Sequence, residues 1–139
     1  MKHFASLGVL AVLLGTSIQS LSADTPEAAA EAASRAWLAL LDAGNYPQSW
    51  TTAAKHFRDS IPESQWASRI SAVRGPLGAV KSRSVTSAKF TTSLPGAPDG
   101  EYVVIRFATS FEHKAEATET VTPMKDPDGR WRVSGYFIR

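Results

Sequence analysis

The sequence predicts an α+β domain: three N-terminal helices packed on a curved four-stranded antiparallel sheet, after a cleaved signal peptide. Three observations predict it. Residues 1–23 form an apolar leader, apolar residues recur at helical spacing through residues 25–75, and residues 77–139 change to Val-, Thr- and aromatic-rich runs separated by turn clusters. The helical half and the strand half therefore divide near Gly75-Pro76.

The leader has the order of a secretory signal peptide. A short basic start at residues 1–3 precedes an apolar run, Phe4 to Ile18, and small polar residues follow up to Ala23. The run is shorter than the roughly 20 apolar residues that cross a bilayer. We therefore expect a periplasmic or secreted protein that begins near Asp24 and has no membrane span after cleavage.

Composition bounds the remaining chain. Removing 23 of the 139 residues leaves 116, which is enough for one domain, residues 24–139. The net charge falls from +2 to +1 because Lys2 leaves with the leader. The absence of cysteine excludes disulfides, thiol nucleophiles and thiolate metal sites. Basic residues are not clustered, so nucleic-acid binding is not expected, and no cofactor is indicated.

The first helix is predicted to begin at Thr25 and to end near Asp42. Thr25 is a favourable N-cap and Pro26 suits the first helical position. Gly44 follows as a C-terminal capping signal. The apolar residues of this helix recur at helical spacing: Ala29, Ala33, Trp37, Leu40 and Leu41.

Two more helices are predicted before residue 75. The second begins at Pro47 and carries one continuous apolar stripe: Trp50, Ala53, Ala54 and Phe57. The third begins with Ser60 and Glu63, which have the spacing of a capping box. It ends at Gly75-Pro76, because proline cannot continue a helix.

Four strands are predicted in the second half, at about residues 80–93, 101–111, 114–124 and 130–139. Residues 94–100 form a long turn, and Asp126 to Gly129 form a short one in which proline fixes φ and glycine tolerates the turn conformation. Consecutive strands with such connections favour an antiparallel meander. The twist of the sheet makes the face that the helices cover concave.

Several segments between Trp37 and Tyr136 carry a family resemblance. They are Asp42 to Tyr46, Ser49-Trp50, Trp66, Arg74 to Gly78, Leu94 to Tyr102, the Phe111 hairpin, Glu119 to Val121 and Asp128 to Tyr136. On these residues the chain resembles the domain of unknown function 4019 family, exported bacterial proteins without an established activity. The order of helices and strands is also similar to the cystatin-like or nuclear transport factor 2-like architecture. That resemblance implies a cone whose open end often holds a small ligand.

The hairpin between the second and third strands supplies the candidate site. A two-residue loop, 112–113, pairs Phe111 with Lys114 and places Arg106 opposite Glu119. Two interpretations stay open: an ion pair that lines a pocket, or an exposed cross-strand salt bridge. A one-residue slip of the register would move every side chain to the other face.

Tyr102 shares a strand face with Arg106, and Trp50 would add apolar wall to the same candidate binding site. The main interpretation of Trp37, Trp50, Trp66 and Trp131 is core packing. No catalytic residue is assigned. His56 and His113 lack metal-ligand spacing, so no metal site is expected, and no serine lies in a Gly-x-Ser-x-Gly turn.

Three functions are compatible with these residues. The first is a non-catalytic accessory module of the cell envelope that holds an unknown small ligand or an envelope protein segment on the concave side of the sheet. The second is a small cone-fold isomerase, dehydratase or hydrolase that uses Glu119 as acid or base. The third is an inhibitor or complex subunit that acts through the loop at residues 95–100 or through a strand edge. None of the three fixes an oligomeric state.

Overall fold

The computed structural model describes residues 25–139. The predicted signal peptide, residues 1–23, lies outside the described residues. Four helices precede four strands: α1 Pro26–Asp42, α2 Tyr46–Thr51, α3 Lys55–Ser60, α4 Glu63–Arg74, β1 Val80–Thr91, β2 Tyr102–Phe111, β3 Lys114–Lys125 and β4 Trp131–Ile138. A 3₁₀ turn, Gly75–Leu77, joins the two halves. The predicted α+β class is confirmed.

The sheet is an open antiparallel meander in the order β1-β2-β3-β4. Its strands begin and end within two residues of the predicted bounds, because turn residues mark each boundary. The helices cover one face, and the core lies between them and the sheet. Its fully buried members include Leu38 of α1, Ile105 and Phe107 of β2, and Val121 of β3.

Local capping explains where α1 begins and ends. The Thr25 hydroxyl accepts a hydrogen bond from the backbone N–H of Ala28 at 3.1 Å, as the N-cap prediction requires. After the helix, Gly44 adopts a φ of 75°, a left-handed conformation that glycine reaches without steric cost. Between these ends, the helix buries Trp37, Leu38 and Leu41 against the sheet.

The prediction of one continuous second helix is wrong. The chain forms two short helices, α2 and α3, with a break in which Ala54 adopts an extended conformation. The Ala54 N–H donates to the carbonyl of Val133 in β4 at 2.8 Å instead of to a helix. Ala53 and Ala54 are both fully buried in the core. The predicted stripe is therefore divided: Trp50 lies in α2, the two alanines lie in the break, and Phe57 lies in α3.

The predicted capping box of the third helix is also wrong. The N-cap of α4 is Pro62, and no side chain caps this helix. Ser60 is still part of α3, where its hydroxyl donates to the carbonyl of His56 at 2.6 Å. The hydroxyl therefore serves the end of the preceding helix and is not available to the start of the next one.

Aromatic rings fill the core between the helices and β4. The ring centroid of Trp37 lies 5.9 Å from that of Trp66 and 5.3 Å from that of Tyr136. Both indole N–H groups bind the buried Ser49: Trp37 donates to its carbonyl at 2.7 Å, and Trp66 to its hydroxyl at 2.9 Å. Trp37 and Trp66 are therefore core residues, as predicted, while Trp50 and Trp131 pack against the core from its border.

The register of the β2–β3 hairpin differs from the prediction. Phe111 pairs with Lys114 as expected, but the register shifts between Thr109 and Phe111. Beyond this irregularity Glu119 lies opposite Phe107. An extra residue in one strand moves every later side chain by one position, which is why the predicted pairing fails.

Within residues 25–139, no helix is both long and apolar enough to span a bilayer. The same residues contain no group of three or more histidine, aspartate or glutamate side chains placed to hold a metal ion.

Candidate functional site

The structure does not bring the four predicted site residues together. Arg106 lies opposite Thr120 and is exposed on the helix-free face, whereas Glu119 is fully buried on the helix-covered face, so their predicted pairing is wrong. The Tyr102 hydroxyl donates to the carbonyl of Pro98, under the 94–100 loop. Trp50 lies in α2.

Glu119 accepts hydrogen bonds from three neighbouring side chains. Arg83 of β1 donates through Nε at 2.7 Å to one carboxylate oxygen and through Nη2 at 3.3 Å to the other. Thr109 of β2 donates to the first oxygen at 2.5 Å. The hydroxyl of Tyr136 in β4 donates to the second. Arg83 therefore has the role that the sequence analysis gave to Arg106.

Asp42 extends this cluster to the ends of two helices. Its carboxylate accepts from Nη1 and Nη2 of Arg83, at 2.8 and 3.0 Å, and from Nη2 of Arg74 at 2.7 Å. Arg74 ends α4 with a side chain only 4 % exposed, and its guanidinium lies 5.0 Å from the ring centroid of Phe111. We name this set the buried network after its fully buried member Glu119, although Asp42 lies at its exposed end: Asp42, Arg74, Arg83, Thr109, Glu119 and Tyr136.

The pKa shifts reflect this arrangement. Burial alone would raise the pKa of Asp42, but the hydrogen bonds from Arg83 and Arg74 outweigh burial and lower the pKa below 3.8. Burial would lower the pKa of Arg83, yet its bonds to Asp42 and Glu119 raise it. Burial, followed by the charge of Glu119 and the bond to it, raises the pKa of Tyr136. The shifts at Asp42 and Arg83 keep both groups charged, and the shift at Tyr136 keeps its hydroxyl protonated so that it can donate to Glu119.

The buried network joins helices and strands, and its hydrogen bonds leave Glu119 without a free oxygen for proton transfer. Both oxygens of Glu119 accept from protein donors, and the two arginines balance the two carboxylates. A buried ion pair needs such additional hydrogen bonds to offset its desolvation. The network thereby ties α1, α4 and all four strands to one another.

The free edge of β4 is a second feature, on the surface. Thr118 and Arg139 exchange both backbone hydrogen bonds, at 2.9 and 3.0 Å. Because hydrogen-bonded and non-bonded pairs alternate in antiparallel sheets, Ile138 and Tyr136 direct their N–H and C=O groups away from β3. Within residues 25–139 no strand pairs with this side of β4. Only Val133, near the other end of the strand, has its carbonyl bound, by Ala54.

An apolar groove of about 210 Å³ runs between α4 and this edge. Its lining residues are Trp66, Arg69, Ile70, Val73, Tyr136, Phe137 and Ile138, and we name it the α4–β4 groove. Val73 is 48 % exposed and Phe137 is 49 % exposed, which is high for large apolar residues. The groove therefore joins unpaired backbone groups to exposed apolar surface.

A polar cleft lies on the opposite, helix-free face of the sheet beside the same edge. It has a volume of about 400 Å³ and is lined by Arg106, Thr118, Thr120, Phe137 and Arg139. We name it the outer cleft. The guanidinium of Arg139 lies 5.4 Å from the ring centroid of Phe137. Phe137 thus borders both the α4–β4 groove and the outer cleft.

Comparison with protein families gives a match over residues 33–136, to the model described as protein of unknown function (DUF4019). The chain belongs to this family. No curated protein matches the chain. The part of the chain that matches the family contains the whole buried network, whereas the last residues at the β4 edge, 137–139, lie beyond the match.

Sequence reasoning identified Glu119 but not the other five members of the buried network. Asp42 and Arg74 lie at predicted helix ends, and Arg83 lies in the first predicted strand, whose sequence is polar and alternating. One signal was present: Arg83 and Val85 are two residues apart in β1, and this spacing places both on the same face of the sheet.

The lowered pKa of Asp42 predicts acid sensitivity of the fold. The folded-state pKa lies below the unfolded-state value, so this stabilisation is complete above about pH 4 and is lost as the pH falls through the folded-state pKa. Asp42→Asn should therefore flatten the decline in the free energy of unfolding between pH 5 and pH 2. Urea titrations across this range measure it.

The exposed Asp99, which has no ion-pair partner among residues 25–139, provides the control. Asp99→Asn should leave the wild-type pH dependence unchanged. An equally steep decline in Asp42→Asn and in the wild type would contradict the assignment.

Proposed function

We propose that this family member is a non-catalytic accessory module of the cell envelope that binds an extended segment of a partner protein along the β4 edge. The observation that carries the proposal is the coincidence of unpaired backbone groups at Tyr136 and Ile138 with the apolar α4–β4 groove. An exposed strand edge adds a partner strand through main-chain hydrogen bonds, and side-chain pockets beside it supply specificity.

The two edges of the sheet differ in how they are protected. β1 carries exposed lysines at positions 81 and 89 and two register irregularities, both of which discourage strand addition. The far half of β4, Tyr136 to Ile138, is uncharged and aromatic. Within residues 131–138 the one charged side chain is Arg132, which is bound to Asp126 and Asp128, and Arg139 follows the strand directly. This contrast supports β4 as the binding edge.

Other surfaces support the proposal less well. The helix-covered face is filled by core residues such as Leu38, Ile105 and Phe107, so a small ligand has little space there. A cleft of about 490 Å³ lies between α1 and the beginning of β4. There, however, the bond from Ala54 already occupies the Val133 carbonyl. The loop at residues 95–100 is held to Tyr102 through Pro98.

The enzyme alternative depends on Glu119 as an acid or base. A general base must reach a proton of the substrate directly or through one water. Both oxygens of Glu119 accept hydrogen bonds from Arg83, Thr109 and Tyr136, and the side chain is fully buried. These contacts favour a structural role. The envelope location is proposed from the leader at residues 1–23, as a signal peptide.

Ile138→Pro should weaken partner binding without unfolding the protein. The Ile138 N–H faces the free edge, so proline removes a donor for the incoming strand while the bonds to β3 remain. The measurement is cross-linking of the mature protein in its own envelope fraction, with mass spectrometric mapping of the cross-linked peptides. The expected result is a partner segment joined near β4 in the wild type, reduced at least about tenfold in the variant, which corresponds to 1.4 kcal/mol.

Two variants control this experiment. Ile138→Val keeps both the N–H and an apolar side chain and should bind as the wild type does. Phe90→Ser removes an exposed phenylalanine of β1, away from the β4 edge, and should also bind normally. Equal cross-linking of Ile138→Pro and wild type, with circular dichroism showing both folded, would contradict the proposal.

A further inference from the structure

We infer that the β4 edge selects a segment whose side chains alternate between apolar and acidic residues. The apolar side chains enter the α4–β4 groove and the acidic ones lie on the helix-free face beside Arg139. This inference rests on the proposed function, because it specifies the partner that the same edge binds.

The alternation follows from the geometry of an added strand. A fifth strand continues the pleat of the sheet, so its successive side chains point to opposite faces. On the helix-covered face they meet the groove, whose walls include Trp66, Ile70 and Tyr136. On the other face they meet Phe137 and Arg139 at the border of the outer cleft. One strand therefore contacts two chemically different surfaces with a period of two residues.

Both surfaces also carry positive charge. The residues that line the groove and the outer cleft include three arginines, Arg69, Arg106 and Arg139, and no aspartate or glutamate. Within residues 25–139 none of these arginines forms a salt bridge. Arg139, at the end of the β4 ladder, is the one closest to an incoming strand. A carboxylate beside it gains a charge-assisted hydrogen bond.

The same charges disfavour a second copy of this chain as the occupant. Two β4 edges paired antiparallel would bring Arg69 and Arg139 of both copies to one interface without an acidic residue from either groove. Like charges placed opposite each other destabilise strand pairing. An acidic segment from another protein neutralises them instead.

Synthetic peptides test this inference on the mature protein. The probes are three capped octapeptides: one that alternates Glu and Val, one that alternates Lys and Val, and one with four Glu followed by four Val. Titration is followed by NMR of the backbone amides, with Tyr136 and Ile138 as reporters. The Glu–Val peptide should shift these amides and bind about tenfold or more tightly than the other two.

Charge reversal at the edge provides a matched test. Arg139→Glu should weaken the Glu–Val peptide and strengthen the Lys–Val peptide, whereas Arg35→Glu, in α1 and outside both cavities, should leave the order unchanged. The preference should shrink as salt is raised, because exposed charges are screened.

The outcomes separate this inference from the proposed function. Equal binding of all three peptides at β4 overturns the inferred preference for alternating apolar and acidic residues, but it supports strand addition. No shift at Tyr136 or Ile138 with any peptide overturns the inference, and the Ile138→Pro cross-linking result then decides the proposed function by itself. A stable dimer in native mass spectrometry, with the amides of Tyr136 and Ile138 buried at its interface, also overturns the inference.

Discussion

Glu119→Ala is expected to lower the free energy of unfolding by about 3–5 kcal/mol, the range for removing one partner of a buried ion pair. The carboxylate is fully buried. Its removal leaves the guanidinium of Arg83 with only Asp42 as an acceptor, and it also deprives the hydroxyls of Thr109 and Tyr136 of their acceptor. Urea unfolding at pH 7, followed by tryptophan fluorescence, measures the change.

Glu116→Ala is the matched control, since Glu116 is an exposed acid of the same strand. It should change the free energy of unfolding by less than about 0.5 kcal/mol. The double variant Arg83→Met with Glu119→Leu should be less destabilised than the sum of its single variants, because no uncompensated charge then remains at this position. A loss below about 1 kcal/mol in Glu119→Ala would show that the network contributes little.

Trp37→Ala is expected to cost about 3–5 kcal/mol of stability, as large-to-small changes of buried aromatic residues do. The indole is 3 % exposed and packs between the rings of Trp66 and Tyr136. Its removal leaves a cavity and frees the Ser49 carbonyl of its indole donor. Thermal and urea unfolding give the magnitude, and near-ultraviolet circular dichroism reports the loss of aromatic packing.

Trp37→Phe separates packing from hydrogen bonding at the same position. It retains most of the apolar surface but lacks the N–H, so it should lie between the wild type and Trp37→Ala. Trp131→Ala offers a comparison at the border of the core, where a smaller loss is expected. If Trp37→Ala and Trp131→Ala lost equal stability, the central position of Trp37 in the core would be contradicted.

The sequence predicted those elements whose limits depend on local chemistry. Thr25 caps α1 through a bond three residues along the chain, and glycine at position 44 ends it. The observed strand bounds agree with the predicted ones for the same reason, since the connections between the strands contain turn residues. The break between α2 and α3 could not be predicted in this way, because it depends on a bond from Ala54 to Val133, a residue of β4.

The candidate site was predictable only in part because its contacts join distant segments. Arg74 and Arg83 reach Asp42 from 32 and 41 residues away in the sequence, and Arg83 reaches Glu119 from 36. The position of each residue in a helix end or a strand can be explained by its neighbours in the sequence. Nothing in that local sequence indicates a contact with the other members of the network. The hairpin register depended on a single irregularity near Thr109, which no residue type in that strand marks.

The buried network also has a consequence for the order of folding. Because synthesis begins at the N-terminus, Asp42 is made long before Arg83, and Arg83 is made long before Tyr136, which lies in the last strand. Contacts of such separation form slowly, because the intervening loops must close first. Until β1 docks, Asp42 lacks Arg83, and until β4 docks, Glu119 lacks Tyr136, so the network is complete only when the last strand is in place. The domain can therefore complete this network only after the chain has been synthesised through Tyr136.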